Sequence, residues 1–90
     1  MRCKYDLQKN LVVKRKHGIS LEMAQRIFDQ VYGFDQKNDD LAQYRAIGWG
    51  DGGRWCVIYE IRRDRRGEYF HLITAWKATA QEEDLYAKNN

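Results

Sequence analysis

QYRAIGWGDGGRWCVIYEIRRDRRGEYFHLITAWK, residues 43–77, is the stretch that decides the fold. Its polar and apolar residues alternate, the period of an extended strand whose successive side chains point to opposite sides. In QYRAIGW, Gln43, Arg45, Ile47 and Trp49 share one face. GDGG is a hairpin signal. RWCVIYEIR is apolar on both faces through its middle, which predicts a central strand. RRDRRGE reads as a second, highly charged turn, and YFHLITAWK as a third strand. Strict alternation there puts Tyr69, His71, Ile73, Ala75 and Lys77 on one face, and Phe70, Leu72, Thr74 and Trp76 on the other.

Toward the N-terminus the period becomes helical. RCKY is a short extended start. Asp6 is placed to cap a helix over DLQKNLVVKRKH, which Gly18 ends. Ser20 caps a second helix, whose Leu21, Ala24, Ile27 and Phe28 fall on one face. VYGF reads as a short strand or the end of that helix, and DQKNDD as a polar loop. Beyond the third strand, Thr79-Ala-Gln-Glu82 is a T-x-x-E capping box that opens a short C-terminal helix. The order predicts an α+β fold: two N-terminal helices, an antiparallel meander of three to four strands and one C-terminal helix. The helices are expected on one face of the sheet, leaving the other face or its rim for a partner.

Ninety residues make one domain, residues 1–90, with a modest core. The net charge of +3 is mild, but its distribution is uneven. Arg2–Lys16 carries six Lys or Arg against Asp6 alone, and Arg54–Arg66 carries five Arg against Glu60 and Asp64. Two basic segments can build one positive face, the footprint of a polyanion partner. Solvated surface charge accounts for them equally well. Cys3 and Cys56 lie far apart in apolar runs and read as buried free thiols. No stretch approaches the ~20 apolar residues of a membrane span, and no leader is evident, so a cytoplasmic location is expected.

The two histidines and two cysteines are isolated, so no metal-ligand spacing exists, and no cofactor is expected. GDGG between strands is a turn and not a phosphate loop. Ser20, the only serine, is occupied as a cap. What remains is cationic: Lys9, Lys16, His17, Arg45, Arg54, His71 and Lys77. RNA cleavage needs little more than a base for the 2′-OH, a cation for the pentacoordinate phosphate and an acid for the leaving 5′-oxygen. Each candidate has an ordinary alternative. Lys16 and His17 suit the C-terminal end of a helix, His71 suits a packed strand, and Arg54 suits plain surface charge.

The order of residues resembles the BrnT family of toxins from bacterial type II toxin–antitoxin modules, small ribonucleases with a RelE-like fold. The resemblance runs over nearly the whole chain. It rests on Tyr5, Asp6 and Lys9, then Lys16-His17-Gly18-Ile19-Ser20-Leu21-Glu22 with Ala24 and Phe28-Asp29. It continues through Ile47-Gly48 and Ile73-Thr74-Ala75-Trp76-Lys77-Ala78-Thr79, with Glu82 and Tyr86. Departures fall at functional positions. Val13 stands where the family has Asn, and Gln43, His71 and Trp76 stand where it has Arg. Arg45, two residues beyond Gln43 on the same strand face, is a substitute for one of those arginines. A guanidinium grips phosphate with a bidentate fork, whereas an indole can only stack on a base.

The resemblance implies a metal-independent ribonuclease toxin of a bacterial module. In it His17, His71, Lys16 and Arg45 would be catalytic, and Lys9, Arg54 and Lys77 would bind RNA. Its partners would be RNA and a cognate DNA-binding antitoxin of the BrnA kind, with a homodimer left open. The replaced arginines motivate an alternative, a catalytically degenerate protein that only binds an antitoxin or RNA. A third reading, nucleic-acid binding without cleavage, rests on the basic segments and on Trp49, Trp55 and Trp76.

Overall fold

A computed structural model describes residues 1–30, 32–38, 43–50 and 52–89. The chain is α+β. Among the described residues five strands, β1 (Cys3–Tyr5), β2 (Tyr32–Asn38), β3 (Gln43–Gly50), β4 (Gly53–Asp64) and β5 (Gly67–Lys77), form one sheet in the order β1-β5-β4-β3-β2. As RWCVIYEIR predicts, β4 is central. The sheet is larger than the expected meander and is mixed. RCKY is a strand of its own, parallel to β5, with Cys3 opposite Phe70 and Tyr5 opposite Leu72. Parallel pairing joins segments far apart in sequence and leaves no turn signal to read. The stretch expected as the polar loop DQKNDD is a strand as far as Asn38, antiparallel to β3; Asp39 and Asp40 lie outside the described residues. Its polar residues suit an edge strand, where pairing from one side outweighs weak strand propensity. The charged turn is also shorter than RRDRRGE suggests, because β4 runs on to Asp64.

Among the described residues three α-helices cover the sheet: α1 (Leu7–His17), α2 (Leu21–Ala24) and α3 (Ala80–Asn89). The second helix is a single α-turn that continues as a 3-10 turn, Gln25–Asp29. Val13, Ile19, Leu21, Ala24, Ile27 and Phe28 pack on Trp55, Val57, Tyr59, Phe70, Leu72 and Ala75 of one sheet face. Phe28 sits at the centre, edge-on to Tyr32, Tyr59 and Phe70 with ring centroids 5.0–5.2 Å apart. Each such pair adds about 1 kcal/mol to simple burial. Gly48 belongs to this packing: a Cβ there would meet Tyr32 at 3.1 Å and Ile27 at 3.3 Å, so the 3-10 turn can rest on β3 only where the side chain is absent.

The helices do not all share that face. Leu85 and Tyr86 of α3 pack with Ile47, Cys56, Ile58, Ile73, Trp76 and Ala78 on the opposite side. A β-bulge makes this second core possible. Ile58 opposes Thr74 and Tyr59 opposes Leu72, which leaves Ile73 as an extra residue in β5. Strict alternation therefore fails across Ile73. Phe70, Leu72 and Ala75 face the N-terminal helices, while His71, Ile73 and Trp76 face the other way.

The Lys16-His17-Gly18 joint follows from local physics. Asp6 Oδ1 accepts the Lys9 N–H at 3.0 Å, and Ser20 Oγ accepts the Met23 N–H at 3.1 Å. Gly18, at φ 82°, closes α1 in the left-handed conformation, and its N–H donates to Lys14 O at 3.0 Å. No helix among the described residues is long and apolar enough to cross a membrane.

Candidate functional site

Cationic residues divide between two ends of the sheet. The first end is built on a single ladder row. Lys4 of β1 lies opposite His71 of β5, His71 opposite Glu60 of β4, and Glu60 opposite Gln43 of β3. Neighbouring strands are ~4.8 Å apart, so His71 is flanked on both sides. Arg62, two residues beyond Glu60 on the same face, donates to Glu60 Oε1 from Nε at 2.9 Å and from Nη2 at 2.6 Å. This bond holds the Glu60 carboxyl below its ordinary range. Burial pushes the His71 imidazole below its ordinary value, with Arg62 and Lys9 acting the same way, against Glu60 and Asp6, which pull it up. His71 is half-buried and favours the neutral ring, which can accept a proton. Lys4 is drawn aside: its Nζ is 2.7 Å from Asp64 Oδ2 and 4.4 Å from the Tyr69 ring centre.

The second end lies at the β3–β4 hairpin, the last residues of β5 and the end of α1. Arg54 stacks on Trp49 at 5.3 Å and on Tyr86 at 4.8 Å, and its guanidinium reaches Glu83 at 4.0 Å. The His17 ring lies 6.4 Å from Trp76, and Lys16 beside it is exposed. Lys77 is exposed at the end of β5, but it pairs with Trp55 and therefore projects from the opposite face.

Between the two ends stands Glu82, the best-connected acid of the face. Its Oε1 accepts the Trp76 indole N–H at 3.0 Å and the Thr79 N–H at 2.9 Å, and Arg45 Nη1 lies 3.5 Å from Oε2. Glu82 N–H donates back to Thr79 Oγ1 at 3.2 Å, which completes the predicted capping box. Burial alone would raise the Glu82 carboxyl, but Thr79, Trp76, Cys56 and Arg45 together hold it below the ordinary range. Arg45 is thereby engaged by the first turn of α3.

The arrangement thus leaves Lys9 within electrostatic reach of His71, and it gathers Lys16, His17 and Arg54 near the other end of the sheet, with Lys77 at that end on the opposite face. The two histidines have different neighbours. His71 opposes Glu60 and Trp76 opposes Cys56, rows four strand steps or ~13 Å apart along the backbone, and His17 sits beside Trp76. Sequence reading singled out neither Glu60 and Arg62 as neighbours of His71 nor Glu82 as a partner of Arg45. The T-x-x-E pattern marked Glu82 as a cap, but only cross-strand register supplies the rest. Among the described residues no group of three or more His, Cys, Asp or Glu could hold a metal ion. Cys56 is buried and Cys3 half-buried, both as free thiols. Compared with known proteins, the chain matches no family model and no curated protein.

Proposed function

We propose that the chain is a metal-independent ribonuclease of the BrnT type, a RelE-like toxin of a toxin–antitoxin module, with His71 as its base. The supporting observation is the His71 row: a half-buried imidazole biased to the neutral form, with Arg62 and Lys9 as neighbouring cations. In this reading His71 takes the proton of an RNA 2′-OH. The 2′-oxygen then attacks the adjacent phosphorus, and Arg62 and Lys9 stabilise the charge that builds on the phosphoryl oxygens. The P–O5′ bond breaks, the Lys9 ammonium protonates the departing 5′-oxygen, and a 2′,3′-cyclic phosphate remains. Lys16 and Arg54 hold the flanking strand. A DNA-binding antitoxin of the BrnA kind is the expected partner of such a toxin.

The test is incubation of the purified chain with a single-stranded RNA in excess chelator, reading cyclic-phosphate and 5′-hydroxyl ends, beside His71→Asn. Cleavage by the parent chain, reduced at least 100-fold in His71→Asn, is the expected result. A folded parent chain without cleavage, or a fully active His71→Asn, refutes it. One observation favours the second reading, a non-cleaving interaction module: Arg45 is engaged by Glu82, and Trp76 by the same carboxylate. In that case the chain binds an antitoxin-like partner and leaves RNA intact.

A further inference from the structure

Trp49 is 47% exposed although it lies on the face that α3 covers, and one side of its ring is occupied by Arg54. The Arg54 guanidinium lies over two aromatic rings, 4.8 Å from the Tyr86 centre and 5.3 Å from the Trp49 centre. Gly52 and Gly53 bring no side chain to the turn beside it, and a Cβ built on either would meet nothing within 4 Å. Among the described residues no other exposed large apolar side chain lies on β3 or at its hairpin turn.

We propose that Trp49 is a stacking platform for an unpaired base of a single-stranded nucleic acid, with Arg54 behind it as the supporting cation. An open aromatic face backed by an arginine is what a base needs, because every base has a π-face and stacking is tolerant of sequence. The surroundings suit the rest of the strand. Lys16 is exposed near the same end of the sheet, and Arg54 keeps its side chain 30% exposed. Backbone phosphates have cations there to neutralise. This inference rests on the reading of RNA as the ligand. It adds a subsite ~13 Å or more from the His71 row, which would hold a base upstream or downstream of the cut.

The experiment uses the full chain and a 2′-O-methyl oligouridylate of twelve nucleotides, which offers no 2′-OH to attack. Affinity and tryptophan emission are read at low salt for the parent chain, Trp49→Ala and Trp49→Phe. Expected are quenching in the parent chain, a roughly ten-fold weaker Kd in Trp49→Ala, and near-parent affinity in Trp49→Phe, where the aromatic face is kept. Trp49 is an exposed side chain, so circular dichroism of both variants is expected to match the parent. Absence of binding by the parent chain overturns the proposal, as does equal affinity in Trp49→Ala. Binding with the expected Trp49 dependence, in a chain that cuts no cleavable RNA, sinks the ribonuclease reading and leaves this subsite standing.

Discussion

Replacing Glu82 should undock α3, and two substitutions at the site separate its interactions. Glu82 is 5% exposed and is held by Thr79, Trp76, Cys56 and Arg45. In Glu82→Ala the helix loses its reciprocal cap, worth about 1 kcal/mol. The Trp76 indole loses a charge-assisted hydrogen bond, worth roughly 1.5–3 kcal/mol. Arg45, with its side chain 24% exposed, turns partly to water and limits the further loss. About 3 kcal/mol in total is expected, a large share of the 5–15 kcal/mol that holds a small domain. For 90 residues the unfolding entropy is about 0.19 kcal/mol/K, so Tm should fall by roughly 15 °C. Glu82→Gln is the control. Its amide oxygen can still accept from Trp76 and Thr79 at the Oε1 position, but its NH2 group stands where Oε2 accepted from Arg45 and, at 3.3 Å, from Trp76. The Arg45 contact and the longer branch of the Trp76 bond are lost, and about 1 kcal/mol is expected. Urea unfolding followed by tryptophan fluorescence measures both. Equal costs for Ala and Gln, or a loss below 1 kcal/mol for Ala, would refute the claim that these hydrogen bonds dock α3.

Three other outcomes are expected. The folded-state value of His71 is depressed, so its neutral form supports the fold above the unfolded value of ~6.5 and that support is lost as pH falls through it. The acid limb of any RNA cleavage should accordingly lie below pH ~6.5, and a pH–rate profile checks it. Asp64 accepts from Arg2 at 2.7 Å and Lys4 at 2.7 Å, and these bonds hold its carboxyl far below the usual range. Its contribution is present above pH ~4 and lost on acidification, so urea midpoints of Asp64→Asn should fall less between pH 6 and pH 3 than those of the parent chain. Gly18→Ala should cost about 1 kcal/mol in thermal unfolding, all of it from the left-handed backbone, because nothing lies within 4 Å of an added Cβ.

Of the proposed site, the residue types were legible in the chain and their grouping was not. The basic segments and the two histidines stand out in the sequence. That His71 has Glu60 and Lys4 as cross-strand neighbours, and that His17 lies beside Trp76, whose row is ~13 Å along the backbone from that of His71, depends on the tertiary structure. A one-residue slip would reverse every face, and periodicity carries no record of which residues are opposed.

Whatever acts within a few residues was determined by the sequence alone. Asp6, Gly18 and Ser20 set the α1–α2 joint through caps and a left-handed glycine, and Thr79 and Glu82 open α3. Alternation marked the strands of the 43–77 stretch, and the doubly apolar β4 marked the centre of the sheet. Tertiary structure alone decided the parallel docking of β1 on β5, the strand pairing of the polar DQKN segment and the bulge at Ile73. The bulge decides most. One unpaired residue turns Trp76 toward α3 and Ala75 toward the N-terminal helices, so that both apolar faces of β4 are covered. The local conformational cost of that residue is outweighed by burial on two sides, which involves segments tens of residues apart and leaves no trace in the pattern of any one of them.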